Sequence, residues 1–338
     1  MSMIRSFVCG CSGTALSDSE RHFLREAQPF GVILFKRNVA APPQVRALVD
    51  DIRDCLGRDA PILVDQEGGR VQRLGPPHWR PYPAAARLAA LKPRVEEAEA
   101  LVFRVARLMA ADLRDVGITV DCLPVLDVPV VGSHGIIGDR AYGEDPRLVA
   151  RLGRAAAEGM IAGGVLPVMK HIPGHGRAGV DSHLELPQVD VPLELLAKSD
   201  FVPFAENADL PAAMTAHVVY KALDPDRPAT VSPRIIAHYI RETIGFAGLL
   251  FSDDLSMQAL RGSLSERATA AFAAGVDIAL HCNGDLAEAA SVAAAAPALE
   301  GLRRDRAEAA LRRLPAEPAA FEPVEAWAEL EGLLAIAD

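Results

Sequence analysis

Eight short apolar runs recur along the chain, separated by polar or glycine-rich loops and by longer stretches rich in Ala, Leu, Arg and Glu. The runs are IRSFVCG from Ile4, GVILF from Gly31, PILVD from Pro61, ITVDCLP from Ile118, GVLPVMK from Gly164, AAMTAH from Ala212, GLLFSDD from Gly248 and VDIALHC from Val276. They are apolar through most of their length and do not alternate, which predicts strands buried on both faces of a parallel sheet. Intervening segments such as APPQVRALVDDIRDCL, VEEAEALVFRVARLMAADLRDVG and LVARLGRAAAEGMIAGG predict crossover helices, with Gly117 and Gly163 placed to cap two of them. Eight strand–helix repeats predict an α/β chain closed into a (β/α)8 TIM-type barrel, which leaves no sheet edge; an open doubly wound sheet is the alternative. The prolines of GPPHWRPYPA, Gly75 to Ala84, forbid a regular helix and predict an ordered loop after the third strand. Pro315 to Pro323 sets off a final helix, so residues 1–314 read as the barrel and 315–338 as a helical appendage packed on it.

The chain has 338 residues, half of them hydrophobic, enough for one large core. Its formal net charge is -10, and the densest basic stretch, Arg303, Arg304 and Arg306, is interrupted by acids. That argues against nucleic acid as a partner. Five cysteines, Cys9, Cys11, Cys55, Cys122 and Cys282, form no disulfide framework and no paired metal-ligand motif, and they point to a reducing compartment. The N-terminus lacks the full pattern of a secretory signal, and no strongly apolar stretch is long enough to span a bilayer. The expectation is a cytoplasmic protein with no membrane partner, a monomer or weak homodimer.

Barrel active sites lie at the C-terminal ends of the strands. Here ionisable groups repeatedly end the apolar runs: Asp65 after the third, Asp121 and Asp127 at the fourth, Lys170 and His171 at the fifth, His217 at the sixth, Asp253 and Asp254 at the seventh, His281 and Asn283 at the eighth. Such groups are costly inside a protein unless paired or near solvent, so their convergence on one rim predicts a polar binding site.

Two segments carry the sharpest chemistry. In KHIPGHGRAGVDSHLELP, Lys170 to Pro187, three histidines and an aspartate raise the question of zinc, but the spacing does not match H-E-x-x-H on a helix. GHGRAG lacks the G-K-[ST] ending of a phosphate loop. Asp181-Ser182-His183 reads better as a loop-borne pair in which the carboxylate fixes the imidazole tautomer and the ring exchanges a proton. Ser182 as nucleophile is disfavoured, since no G-x-S-x-G elbow surrounds it. The second segment, GLLFSDDLSM, brings Asp253 and Asp254 to a strand end. In a continuing strand they point to opposite sides, one at the barrel mouth and one supporting the loop, and spacing alone does not choose between them.

Taken together, GVILFKRN, LVDQEGGRVQR, LPVLDV, IGDRAYG, KHIPGHG, DSH, MTAHVVY and FSDDLSM, in this order, resemble the bacterial β-N-acetylhexosaminidases of glycoside hydrolase family 3, in the single-domain branch that recycles cell wall. The resemblance runs from about Ile4 to Asn283, and Ile172 within KHIPGHG is a conservative departure. It implies Asp253 as nucleophile and His183 as general acid/base, polarised by Asp181. It also implies that Asp65 binds sugar hydroxyls, that Arg73 and Arg140 clamp the sugar, and that Lys170 and His171 contact it. His217 is left open between lining the site and orienting a neighbour, and Asp254 is given a supporting task.

The implied reaction is a double displacement with retained configuration, needing no metal and no organic cofactor. The implied substrate is an amino-sugar disaccharide or muropeptide, β-1,4-linked N-acetylglucosaminyl-1,6-anhydro-N-acetylmuramic acid with or without peptide. Chitin fragments, other β-hexosaminides and phosphorolysis are the alternatives.

Overall fold

The computed structural model describes residues 3–182 and 185–337. The eight apolar runs are the eight strands of a closed barrel: β1 (Arg5–Gly10), β2 (Pro29–Leu34), β3 (Ile62–Val64), β4 (Val120–Asp121), β5 (Leu166–Ile172), β6 (Ala212–Thr215), β7 (Leu249–Asp254) and β8 (Ile278–His281). Each pairs in parallel with its sequence neighbours, and β8 closes on β1 through Phe7 opposite Ala279. Around them lie α1 (Asp18–Ala27), α2 (Pro42–Leu56), α3 (Val95–Asp115), α4 (Pro146–Ala162), α5 (Leu264–Ala274) and α6 (Leu286–Ala295). The β5–β6 crossover uses two short helices, and the β6–β7 crossover is a wide π-type helix, Ile235–Thr243, whose last turn is closed by Ile244 N–H donating to Tyr239 O.

The two-residue alternation of a strand explains why the runs are apolar on both sides. Val8, Ile33, Leu63, Val120, Val168, Met214, Phe251 and Leu280 fill the barrel interior. Their neighbours Phe7, Cys9, Val32, Leu34, Ile62, Val64 and Ala279 pack outward beneath the helices. Helix α7 (Gly301–Leu311) adds Ala307 and Ala310 to the interior cluster and closes the N-terminal end. The cavity is therefore confined to the opposite end.

Helix starts follow the sequence chemistry. Ser17 and Ser263 each form a reciprocal capping box, with Glu20 and Glu266. Gly117 takes φ +82 just past α3, and Gly163 caps α4 as expected, its N–H donating to Gly159 O, with Gly164 (φ +75) in the left-handed position after it. The last helix, α8 (Pro323–Ala337), lies against α3: Leu330 is buried, Trp327 meets Tyr82 edge-on, and Arg107 stacks on Phe321. All five cysteines are buried thiols. No described helix is long and apolar enough to cross a membrane.

Candidate active site

The rim is most densely charged where β3, β4 and β5 end. Asp65 directly follows β3, and the chain then folds back as a short antiparallel pair, Gln66–Gly68 with Val71–Gln72. Gly68 makes the turn possible: its φ is +89, and a Cβ there would stand 2.3 Å from the Pro83 carbonyl oxygen. The Gln66 side chain locks the turn, accepting from Arg73 N–H (3.0 Å) and Leu74 N–H (3.1 Å) while donating to Leu74 O (2.8 Å). This fold-back sets Asp65, Glu67 and Arg73 around Lys170.

Lys170 Nζ donates to Asp65 (2.9 Å) and Glu67 (2.6 Å). Arg73 adds a second bond to Asp65 (2.9 Å), and Arg140 grips Glu67 with both arms of its fork (2.7 and 2.8 Å). Burial alone would raise both carboxyls, but the Lys170 ammonium and the guanidiniums outweigh it. Asp65 is held well below the usual carboxylate range by Lys170 and Arg73, and Glu67 is lowered by Lys170 and Arg140. Burial would likewise lower Lys170, yet Asp65 and Glu67 push it up, so it stays an ammonium. Asp121, fully buried behind this group, is raised well above its ordinary value by burial.

A second network carries the histidines. His171 Nδ1 donates to Asp127 (2.7 Å), which leaves Nε2 for a ligand. The other Asp127 oxygen accepts the backbone N–H groups of His171 (3.2 Å) and His175 (2.6 Å). Burial opposes this charge, but His171 wins and lowers Asp127 to about 2. His175 is lowered to about 4 by burial and by His171, so it is neutral near pH 7. Its Nε2 meets Ser182 Oγ at 3.1 Å, fastening the D-S-H loop to the rim. Gly176 permits the loop's close passage, since a Cβ there would stand 2.0 Å from Val128 O.

Across the mouth, β7 ends in Asp253 and Asp254, both half-buried and both bordering the cavity. This corrects the expectation that only one reaches the site: the pairing of β7 with β8 shifts register between Phe251 and Asp254, and that irregularity breaks the simple alternation of the two acids. The oxygens of Asp254 are engaged by Ser256 N–H (3.0 Å), Ser256 Oγ–H (2.6 Å) and Cys282 N–H (3.1 Å), which makes it a brace for the turn. Asp253 Oδ1 accepts the N–H of Asp254 at 2.8 Å. His217 is fully buried and bridges Thr230 Oγ1 (2.7 Å) to the Asp254 carbonyl (2.9 Å), which assigns it the orienting task.

These walls enclose a cavity of about 390 Å³ bordered by Asp65, Arg73, Arg140, Lys170, His171 and Asp253, with Ile33, Met214 and Leu280 among its apolar residues. Asp181 lies half-buried on the loop beside Ser182, and His183 falls outside the described residues. Sequence reasoning gave Glu67 no role, although its i,i+2 spacing from Asp65 at a strand end was a usable signal. It also placed His281 near the rim, whereas that ring points outward to Glu288 (3.1 Å) beneath α6. Among the described residues, no three His, Cys, Asp or Glu side chains group as a metal cage.

The model of the glycosyl hydrolase family 3 N terminal domain matches residues 2–316. A β-hexosaminidase of Alkalilimnicola ehrlichii is 43% identical over 286 residues, 83% of this chain and 81% of the relative. One from Pseudomonas aeruginosa is 40% identical over 301 residues, 88% and 87% of the two chains. Among solved structures, NagZ from Neisseria gonorrhoeae in complex with N-trifluoroacetyl-D-glucosamine superposes with a TM-score of 0.88 at 32% identity, covering 98% of both chains.

Proposed function

The chain belongs to glycosyl hydrolase family 3, and we propose that this β-N-acetylhexosaminidase is a retaining exo-enzyme. It removes terminal N-acetylglucosamine from β-1,4-linked N-acetylglucosaminyl-1,6-anhydro-N-acetylmuramic acid and its peptides, in the recycling of cytoplasmic cell-wall fragments. One observation carries the reading: a paired Asp65–Lys170–Arg73 cluster and the strand-end acid Asp253 border the same closed-bottomed cavity. The first is built to hold sugar hydroxyls, and the second to meet an anomeric carbon.

In the first step an Asp253 oxygen attacks the anomeric carbon as the glycosidic C–O bond breaks, and His183 gives its proton to the departing oxygen. The glycosyl–Asp253 ester is then opened by water, whose proton returns to His183, releasing the sugar with its configuration retained. Asp181 fixes the His183 tautomer and stabilises the imidazolium. Lys170, Asp65, His171 Nε2 and Arg73 orient the terminal sugar, with Arg140 acting on the ligand's edge while held by Glu67. The sugar is therefore held before charge develops at its anomeric carbon.

A fluorinated N-acetylglucosaminide that slows the second step tests this. Mass spectrometry should map the trapped sugar to Asp253, and NMR of the normal reaction should show the β-product first. A label on another residue, or an inverted product, overturns the mechanism.

A further inference from the structure

The cations that border the cavity differ in how their charge is met. Lys170 lies between Asp65 and Glu67, Arg73 pairs with Asp65, Arg140 with Glu67 and Arg70 with Asp139. Arg37, on the loop after β2, is held otherwise. Its Nε donates to Cys11 O (2.9 Å), its Nη2 donates to Cys282 O, and it makes no ion pair with a carboxylate among the described residues. Its guanidinium stacks 5.0 Å from the Phe35 ring centre, with Arg73 at 5.0 Å from the same ring.

The slot that holds it is built. A Cβ on Gly10 would stand 2.8 Å from Nη2, and one on Gly284 would stand 3.1 Å away. Carbonyl oxygens fix the orientation of a guanidinium and leave its formal charge standing, and these bonds leave some of its five N–H groups for a ligand. In a chain of net charge -10, a cation fixed on the cavity wall with no carboxylate partner among the described residues is a local reversal of field.

Its position gives the charge a use. The Asp65–Lys170 cluster marks the end of the cavity that seats the terminal sugar's hydroxyls, and Asp253 marks the anomeric end. Going round the ring from β7, the next loops are those after β8, β1 and β2, and Asn283, Cys282 and Arg37 from these loops border the cavity. We propose that Arg37 is a specificity residue that receives a carboxylate carried by the leaving group, so that the enzyme favours an acidic aglycone over a neutral amino sugar. The inference rests on the hydrolase reading of the cavity and adds the discriminating group.

The test compares N-acetylglucosaminyl-anhydro-N-acetylmuramic acid with the same disaccharide bearing a carboxamide in place of its carboxylate. Unmodified enzyme should prefer the acid in kcat/KM by roughly three- to tenfold, the range of a solvent-exposed ion pair, and the preference should shrink as salt is raised. Arg37→Gln should bring the ratio to about one, and Arg37→Lys should keep part of it. The readout is a ratio within one variant, so a general loosening of the loop cancels. A ratio of one in the unmodified enzyme, or a preference that survives in Arg37→Gln, overturns the proposal. So does phosphate-dependent release of a glycosyl phosphate that Arg37→Gln abolishes, because the cation would then serve an incoming anion. Calorimetric binding of both disaccharides to Asp253→Asn protein reads the same preference without turnover. Selective binding there, with no cleavage of any β-N-acetylglucosaminide by the unmodified chain, would leave Arg37's role standing and sink the hydrolase reading.

Discussion

The two walls of the cavity are built on opposite principles. On the β3–β5 side, Asp65, Glu67, Lys170 and Arg140 form a closed lattice in which every charge meets an opposite charge within 3 Å. On the β7 side, Asp253 and Asp254 are half-buried: Asp253 Oδ1 accepts the Asp254 N–H, and Asp254 is held by the Ser256 N–H and hydroxyl and by the Cys282 N–H. A lattice of paired charges has nowhere to move and can orient a sugar, but its carboxylates are too well stabilised to attack. This difference between the walls supports the proposal that one binds the sugar and the other makes the bond.

The strongest way to break that assignment is Asp253→Asn. It should lower kcat by at least ~10⁴-fold with an unshifted thermal midpoint, because it removes the attacking oxygen and little packing. Single-turnover kinetics and a thermal melt read both. A modest rate loss would move the nucleophile elsewhere on the rim.

Lys170→Met attacks the opposite wall. Removing one partner from a buried ionic group leaves Asp65 and Glu67 uncompensated, so unfolding free energy should fall by about 3–5 kcal/mol in a urea titration. KM should rise as well, through lost sugar contacts. An unchanged urea midpoint would mean that the lattice is not what holds this wall.

Asp254→Ala sharpens the contrast between neighbouring acids. It strips the acceptors from Ser256 and Cys282 N–H and should cost about 1–3 kcal/mol of stability. Activity should drop less than in Asp253→Asn, and trapped sugar should still map to Asp253. A label lost altogether, at unchanged stability, would make Asp254 the reacting acid.

The same contrast explains how much of the molecule was legible in the sequence. All eight strands were readable because two-sided burial writes itself as an apolar run, and the rim was readable because ionisable residues end those runs. Glu67 was harder. It lies past β3 in a Gly-rich turn, and only the fold-back at Gly68 aims it at Lys170 and Arg140. His281 misled for the complementary reason: a strand end has two faces, and alternation after Leu280 sends this ring outward. Asp253 and Asp254 both reach the mouth because the register of β7 against β8 shifts between Phe251 and Asp254, a change that two adjacent letters do not encode. Arg37 depends on contacts with loops after β1 and β8 that are remote in sequence.

The smallest effect concerns the strap between the walls, where His175 holds Ser182. Burial, aided by His171, lowers His175 to about 4, below the ordinary imidazole value near 6.5. The folded protein thus binds this proton less readily than the unfolded chain. The stabilising contribution is complete above about pH 6.5, falls as pH drops toward 4, and is fully lost below that. Asp127 is also lowered, to about 2, so its contribution is present above the ordinary carboxylate range near 4 and disappears as pH falls toward 2. The two windows adjoin with little overlap, which separates the histidine from the carboxylate experimentally. His175→Gln should therefore lose about 1–2 kcal/mol less than the unmodified protein between pH 7.5 and pH 5, while its decline below pH 4 stays the same. His217, also lowered by burial, keeps a residual slope in the upper window. Urea titrations at the two pH values measure the difference. Parallel losses in both proteins would mean that His175 titrates normally, and the loop would then have to be held against the rim by something other than a buried neutral imidazole.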